Sequence, residues 1–188
     1  MSAKHLYRMV FTALMAAIVF VTTMFLKIEI PTPAGLTMLK VANVFCLFGG
    51  MLLGPVYGGL AAGIGSMLFD LSNPSYAASA PFTLVFFFMM GFVCGLISHA
   101  GGKRGLDVKQ NAIGAVAGSA AYFVLNIGKS IILLVMAGSA LWPAIIANST
   151  KMITSGVNAG IAIVFSTILA KPLMAALDKN GLLSRLDG

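Results

Sequence analysis

The sequence contains few charged residues and very few acidic ones. Only 9% of its 188 residues are charged and five are acidic, whereas 59% are hydrophobic. A water-soluble domain carries roughly a quarter charged residues, so this composition excludes one and indicates a single membrane-embedded domain over residues 1–188. The net charge is +7. Because the basic residues lie in short segments between apolar runs, we interpret them as topology determinants and not as a nucleic-acid-binding surface.

Residues with reactive side chains are also scarce. Cys46 and Cys94 both lie inside apolar runs, and their spacing is not that of a metal site. His5 and His99 lie at helix ends, away from the polar residues inside the predicted helices. No motif for acid–base, nucleophilic or phosphate-binding chemistry occurs. The sequence therefore predicts that the chain is not an enzyme and binds neither a metal nor a cofactor of its own.

Long apolar runs predict an all-α bundle of six transmembrane helices. The runs are 9–26, 41–53, 57–71, 81–100, 112–137 and 144–177. The first is interpreted as a membrane helix and not a signal peptide, because it is long and has no small-residue cleavage site. The second and third are short and are separated by Gly54-Pro55. They form either tilted helices or a re-entrant hairpin, and both arrangements return the chain to the side where it entered.

The distribution of basic residues predicts the orientation. Six crossings place eight of the twelve on one side: Lys4, Arg8, Lys103, Arg104, Lys109, Lys171, Lys179 and Arg185. The positive-inside rule then puts both termini in the cytoplasm and the polar segments 27–40 and 70–80 outside. Pro31, Pro33 and Gly35 exclude a helix in the first of these, which predicts a sizeable loop. We expect a multi-pass protein of a bacterial plasma membrane.

Polar residues within the last two helices predict a ligand cavity. They share one face of each helix at helical spacing: Tyr122, Asn126 and Lys129 on the fifth, and Asn148, Lys151, Ser155 and Asn158 on the sixth. A lysine inside a membrane helix is costly unless it faces protein or a water-filled cavity. The alternative interpretation is that Lys129 and Lys151 extend their amines to the outer membrane interface.

Aromatic residues are predicted near this cavity, in the outer half of the membrane. Phe82, Phe86, Tyr76 and Trp142 present flat rings that stack on heterocycles. An interfacial aromatic belt explains Tyr76 and Trp142 equally well. Asp70 is either a counter-ion for a lysine or the residue that opens the following turn.

Several motifs together resemble one family of transporters. They are the Ala13-x-x-x-Ala17 pattern with Ala16 beside it, the glycine-rich run at 48–59, and Gly63-Ile64-Gly65-Ser66-x-x-x-Asp70 followed by Ala80-Pro81-Phe82-Thr83-Leu84. The chain resembles the substrate-binding S components of energy-coupling factor (ECF) vitamin transporters, over nearly its whole length. The resemblance is to the riboflavin or hydroxymethylpyrimidine/pyridoxine branch.

The resemblance implies a binding function without chemistry. The face of Ala13, Ala16 and Ala17 would dock on a transmembrane coupling subunit, and the loop with Pro31, Pro33 and Gly35 would act as a lid. ATP would be used by two cytoplasmic partner ATPases. Where that branch carries a lysine and an acid, this chain has Phe86-Phe87-Phe88, which leaves room for cobalamin or pantothenate as the ligand.

Two alternatives belong to other classes of protein. One is a stand-alone carrier or channel formed by oligomers, which would transport without ATPases. The other is a membrane-embedded enzyme, which would need an acid, a base or a metal site.

Overall fold

The computed structural model of the chain describes residues 3–33 and 35–183, with side chains from His5 onward; Arg185 lies outside these residues. The elements are α1 (Ala3–Phe25), β1 (Lys27–Thr32), β2 (Gly35–Lys40), α2 (Ala42–Ser72), α3 (Ala80–Ser98), α4 (Val108–Met136), α5 (Leu141–Ala147) and α6 (Ser149–Lys179). All the helices except α5 are long and apolar enough to cross a membrane.

Gly54 breaks α2 into two halves that fold back on each other. Its φ of 79° lies in the left-handed region that favours glycine, and Pro55 follows it. A Cβ atom added at Gly58 would lie 2.5 Å from the Cα atom of Gly50, whereas residues this far apart in a straight helix are separated by about 12 Å. The halves, 42–53 and 55–72, are therefore neighbours. Within the described residues, six helical segments run along the bundle (α1, the two halves of α2, α3, α4 and α6), which confirms the six-helix prediction.

Glycine residues bring the central helices into close contact. A Cβ atom added at Gly91 on α3 would lie 2.8 Å from the carbonyl oxygen of Gly58 on α2. One added at Gly118 on α4 would lie 2.5 Å from the carbonyl oxygen of Met90 on α3. Small residues permit such backbone approach between membrane helices. The three helices thus pack as one tight layer, which fixes the positions of the side chains at their ends.

The connecting segments gather at two opposite ends of the bundle. At one end, which we call the hinge end, the His5 ring lies 3.2 Å from the Tyr57 hydroxyl, and the His99 ring lies 2.8 Å from the carbonyl oxygen of Met51. The opposite end, called the cavity end, carries the β-strands, the turn between α2 and α3, and α5. Described basic residues at the hinge end include Arg8, Lys103, Arg104, Lys109, Lys171 and Lys179.

The segment between α1 and α2 forms a β-hairpin where the sequence predicts a loop. β1 and β2 are antiparallel, with Lys27 opposite Lys40 and Thr32 opposite Gly35. The alternating Ile-Glu-Ile pattern of the first strand suits an extended backbone. Pro31 is accommodated because both strands of a two-stranded hairpin are edges, where a missing N–H is tolerated. Gly35 has a φ of 101°, which glycine adopts without strain.

The prediction for residues 138–177 is wrong in one respect. The sequence predicts one helix over 144–177, whereas the structure has the short helix α5 from Leu141 to Ala147 and a break at Asn148 before α6. Pro143 lies in the first turn of α5, where its missing N–H costs no helical hydrogen bond. Asn148, which lies between the end of α5 and the start of α6, donates from Nδ2 to the carbonyl oxygen of Ala144 at 2.9 Å.

Candidate functional site

A cavity of about 380 Å³ opens at the cavity end of the bundle. The β-hairpin covers it, and the ends of α2 and α3 and the facing sides of α4 and α6 form its walls. The lining residues are Gly35, Leu36, Thr37, Met38, Lys40, Asp70, Ser75, Tyr76, Ser79, Phe82, Thr83, Phe86, Phe87, Tyr122, Asn126, Lys129, Ser130, Leu133, Leu134, Lys151, Ser155 and Asn158. The cavity thus combines aromatic rings with amides, hydroxyls and charges, as small-molecule sites do.

Aromatic side chains from α3 and α4 form one wall of the cavity. The rings of Phe82 and Phe86 lie one helical turn apart, with centroids separated by 6.2 Å. Phe87 packs against Tyr122 of α4, with ring centroids 4.5 Å apart. Phe87 is buried, whereas Phe82 is 47% exposed. The wall therefore has a fixed inner part and an accessible outer part on which a flat molecule can stack.

Two lysines, Lys129 on α4 and Lys151 on α6, also line the cavity. The amine of Lys129 lies 4.1 Å above the centroid of the Phe82 ring and donates to the hydroxyl of Ser79 at 3.3 Å. The amine of Lys151 donates to the hydroxyl of Ser130 at 3.2 Å. Both amines bond to groups that line the cavity. The structure therefore favours the cavity-facing interpretation of these lysines over extension to the membrane interface.

A third lysine and the one lining carboxylate complete the charged groups. The amine of Lys40 on β2 lies 4.1 Å above the centroid of the Phe87 ring. Desolvation lowers the pKa of Lys40, and the negative charge of nearby Asp70 opposes this shift. Asp70 accepts a hydrogen bond from the hydroxyl of Thr83 on α3. Asp70 therefore links α2 and α3 at the cavity, and among the described residues no lysine amine lies within 4.0 Å of its carboxylate. Its side chain bonds to Thr83 and not to the turn that follows α2.

The side chain of Asn158 connects α6 to the hairpin. Its Oδ1 atom accepts from the backbone N–H of Lys40 at 3.0 Å, and its Nδ2 atom donates to the carbonyl oxygen of Met38 at 2.7 Å. Asn158 is 6% exposed. The amide thereby satisfies backbone groups of β2 that would otherwise point away from β1, and it holds the hairpin over the cavity.

Nine of the eleven sequence-predicted binding residues line this cavity: Tyr76, Phe82, Phe86, Tyr122, Asn126, Lys129, Lys151, Ser155 and Asn158. Asn148 does not, because its buried amide bonds to its own helix. Trp142 does not either, because α5 turns its ring outward, leaving it 74% exposed. Its position agrees with the interfacial interpretation.

Several lining residues escape the sequence-based prediction. Lys40 lies in a segment predicted as a loop, and Phe87 lies in an apolar run with nothing to distinguish it from its neighbours. Ser79 and Ser130 become relevant only through the amines that they bind. Strand alternation over 35–40 is the one signal that places Lys40 on the same face as Met38.

The alanine pattern of α1 divides between two environments. Ala13 and Ala17 are exposed on a face that also carries Val10, Leu14 and Val21. Ala16 is buried, because a Cβ atom added at Gly65 of α2 would lie 2.4 Å from its carbonyl oxygen. Ala16 therefore packs inside the bundle, and the exposed small-residue face consists of Ala13 and Ala17.

In the described part of the chain, no three His, Cys, Asp or Glu side chains come together.

The fold and the cavity define a membrane-embedded protein that encloses a small-molecule site. The chain belongs to the family described as ECF-type riboflavin transporter, S component, which matches residues 4–179. This match confirms the resemblance to ECF S components. The family is the substrate-binding part of a transporter, so the chain is not an enzyme.

The chain is also similar to a protein of Pyrococcus woesei described as an uncharacterised protein in the gap 3′ region. The two are 33% identical over 98 residues, which is 52% of this chain. The match spans 64% of the length of that relative.

Proposed function

We propose that the chain captures a flat, ring-containing vitamin from outside the cell and delivers it to an ECF transport complex. The observation that carries the proposal is the cavity itself, in which an aromatic wall faces amides and amines beneath a tethered hairpin. Aromatic rings recognise a heterocycle by stacking, and the amide of Asn126 supplies both a donor and an acceptor.

The size of the cavity limits the ligand. Its volume of about 380 Å³ lies near the lower end of the range of about 300–1,000 Å³ for small-molecule sites. This volume suits vitamins of one to three rings, such as hydroxymethylpyrimidine, pyridoxine or riboflavin, and also pantothenate. A corrinoid such as cobalamin is too large to be enclosed.

The charge asymmetry of the bundle supports the direction of capture. The described basic residues outside the cavity concentrate at the hinge end, so the positive-inside rule places that end in the cytoplasm. The cavity and its hairpin then face outward, across a bacterial plasma membrane. The hairpin, with Pro31, Pro33 and Gly35, acts as the lid, and the tether from Asn158 holds it closed.

Energy for release would come from partners. The exposed face of Ala13 and Ala17 would contact a transmembrane coupling subunit, and two cytoplasmic ATPases bound to that subunit would hydrolyse ATP. Small residues allow close helix–helix approach in the membrane, so this face is suited to such docking.

Reconstitution tests the proposal. The chain alone in proteoliposomes should bind a vitamin from a screened panel without accumulating it. Addition of the coupling subunit and both ATPases should give uptake that requires ATP and stops with a non-hydrolysable analogue. Uptake by the chain alone, without ATP, would instead support the stand-alone carrier. A corrinoid as the co-purifying small molecule in mass spectrometry would contradict the size argument.

A further inference from the structure

The charged residues that line the cavity do not balance one another. Lys40, Lys129 and Lys151 all line it, and among the described lining residues Asp70 is the one carboxylate. Asp70 is engaged by the hydroxyl of Thr83. The described cavity therefore carries an excess of positive charge.

Among the described residues, the two lysines on the helices have no acidic partner. Within residues 5–33 and 35–183, no carboxylate oxygen lies within 4.0 Å of the amine of Lys129 or Lys151. Each amine makes one side-chain hydrogen bond, to Ser79 and Ser130 respectively. An ammonium group has three N–H donors, so each lysine retains donors for a ligand.

The environment of these amines makes such an imbalance costly. Both lysines are half-buried and lie on helices that cross the membrane. Removing a charge from water without a partner is unfavourable, and charged residues within membrane proteins usually pair with one another or mark a substrate path. An anion bound near both amines would remove this cost.

Tyr76 supplies a second observation. Its hydroxyl oxygen is buried and has no hydrogen-bond partner among the described residues, although Tyr76 lines the cavity. Burial raises the pKa of Tyr76 to about 12, and the carboxylates of Glu29 and Asp70 add to the shift. The phenol therefore keeps its proton and is available as a donor to an acceptor on the ligand.

We infer that the ligand of this cavity carries an anionic group, a carboxylate or a phosphate, which binds between the amines of Lys129 and Lys151. The inference rests on the proposed function, because it specifies the charge of the vitamin that the same cavity captures. The ring system of that vitamin then stacks on Phe82 and Phe86, beside the Lys129 amine.

Matched pairs of vitamins that differ in charge test this inference. The pairs are nicotinate and nicotinamide, pantothenate and pantothenol, and flavin mononucleotide and riboflavin. Calorimetry on the purified full chain in detergent should show that the anionic member binds at least about tenfold more tightly in the pair that the cavity accepts. The first two pairs report on a carboxylate and the third on a phosphate.

Variants of this chain locate the effect. Lys129→Met and Lys151→Met should each remove most of the preference for the anion, so that the ratio of the two dissociation constants in the accepted pair falls toward one. Lys151→Arg, which keeps the charge, should retain the preference. Lys27→Met is the matched control, because Lys27 lies at the cavity end but pairs with Glu29 and does not line the cavity.

The outcomes separate the inference from the proposed function. Equal or tighter binding of the neutral member overturns the inference and leaves the proposed function standing. An anion preference that survives both methionine variants overturns the placement between the two lysines. Binding of no member at millimolar concentration overturns the inference, and absence of binding by hydroxymethylpyrimidine and pyridoxine as well contradicts the proposed function. If a methionine variant fails to fold, the comparison of paired ligands on the unmodified chain still decides whether the cavity prefers an anionic ligand.

Discussion

Asn158 on α6 hydrogen-bonds to Met38 on β2, with Nδ2 2.7 Å from the carbonyl oxygen. Its Oδ1 atom accepts from the N–H of Lys40, two residues further along the strand. One side-chain amide thus bonds to an edge strand in the way that a neighbouring strand would. Because α6 also carries Lys151 and Ser155, the helix that forms one wall of the cavity also holds its cover.

Replacing Asn158 with alanine should loosen the hairpin. Two hydrogen bonds of about 0.5–1.5 kcal/mol each would be lost, so the dissociation rate of the ligand should rise roughly tenfold. Amide hydrogen exchange at residues 35–40 should become faster in the same variant. Stopped-flow binding and exchange followed by mass spectrometry measure the two effects.

Asn148→Ala provides the matched control for this variant. Asn148 is also a buried asparagine of the same region, but its amide bonds to Ala144 within its own chain segment. The Asn148→Ala variant should leave hydrogen exchange in the hairpin unchanged. Unchanged exchange in Asn158→Ala as well would show that the tether does not control the lid.

The outer aromatic pair should contribute to affinity by stacking. Phe82→Leu and Phe86→Leu keep much of the apolar volume but remove the ring faces. A stacked aromatic contact is worth about 0.5–1.5 kcal/mol, so each change should weaken binding by up to about tenfold in calorimetry. Phe165→Leu is the control, because Phe165 on α6 is 54% exposed and does not line the cavity. Full affinity in both cavity variants would exclude stacking on this wall.

Trp142 should be dispensable for binding. Its ring is 74% exposed and lies outside the cavity lining. Trp142→Phe should therefore change the dissociation constant by less than about twofold, in line with most surface substitutions away from a site. A large loss of affinity in the calorimetric titration would mean that α5 closes over the ligand in the bound state.

The exposed alanines of α1 should matter for transport alone. Ala13→Leu together with Ala17→Leu adds bulk to an exposed face, which should prevent close docking of a partner helix. ATP-dependent uptake in the reconstituted complex should fall to background, while ligand binding by the isolated chain stays the same.

Ile113→Phe on α4 serves as the comparison, because Ile113 is 61% exposed on another part of the bundle. The complex with the Ile113→Phe variant should transport normally. Loss of ligand binding in the double leucine variant would instead assign the alanines to internal packing.

The fold-back of α2 should depend on Gly58. A Cβ atom there would lie 2.5 Å from Gly50 Cα and 2.6 Å from Gly49 O. Gly58→Ala should destabilise the protein by about 1–3 kcal/mol, the usual cost of overpacking a well-packed core, and lower the melting temperature in detergent. Gly160→Ala has open space around it and should leave stability unchanged or slightly raised. Equal melting temperatures would contradict the tight crossing of the two halves.

Composition and periodicity were sufficient for the outline of this protein. Scarce charge and long apolar runs determine a membrane bundle, because lipid accepts few other side chains. The spacing of Asn126 and Lys129, and of Lys151 and Asn158, identifies helix faces that line the cavity, because helical geometry is local and readable from sequence. The hinge at Gly54-Pro55 was also predictable, because a glycine–proline pair between two apolar runs is a local break signal.

The tertiary structure alone decided the rest. Lys40 reaches the cavity only because β2 packs against α6, where Asn158 accepts from its N–H, and its amine then lies over the Phe87 ring of α3. Asn148 shares the predicted helix face of Lys151 and Asn158, yet it precedes α6 and its amide donates to the carbonyl oxygen of Ala144. Contacts between distant segments depend on how helices end and cross, and residue spacing within one segment carries no information about that. The sequence therefore determined the six-helix membrane bundle, while packing determined which of its polar residues share one cavity.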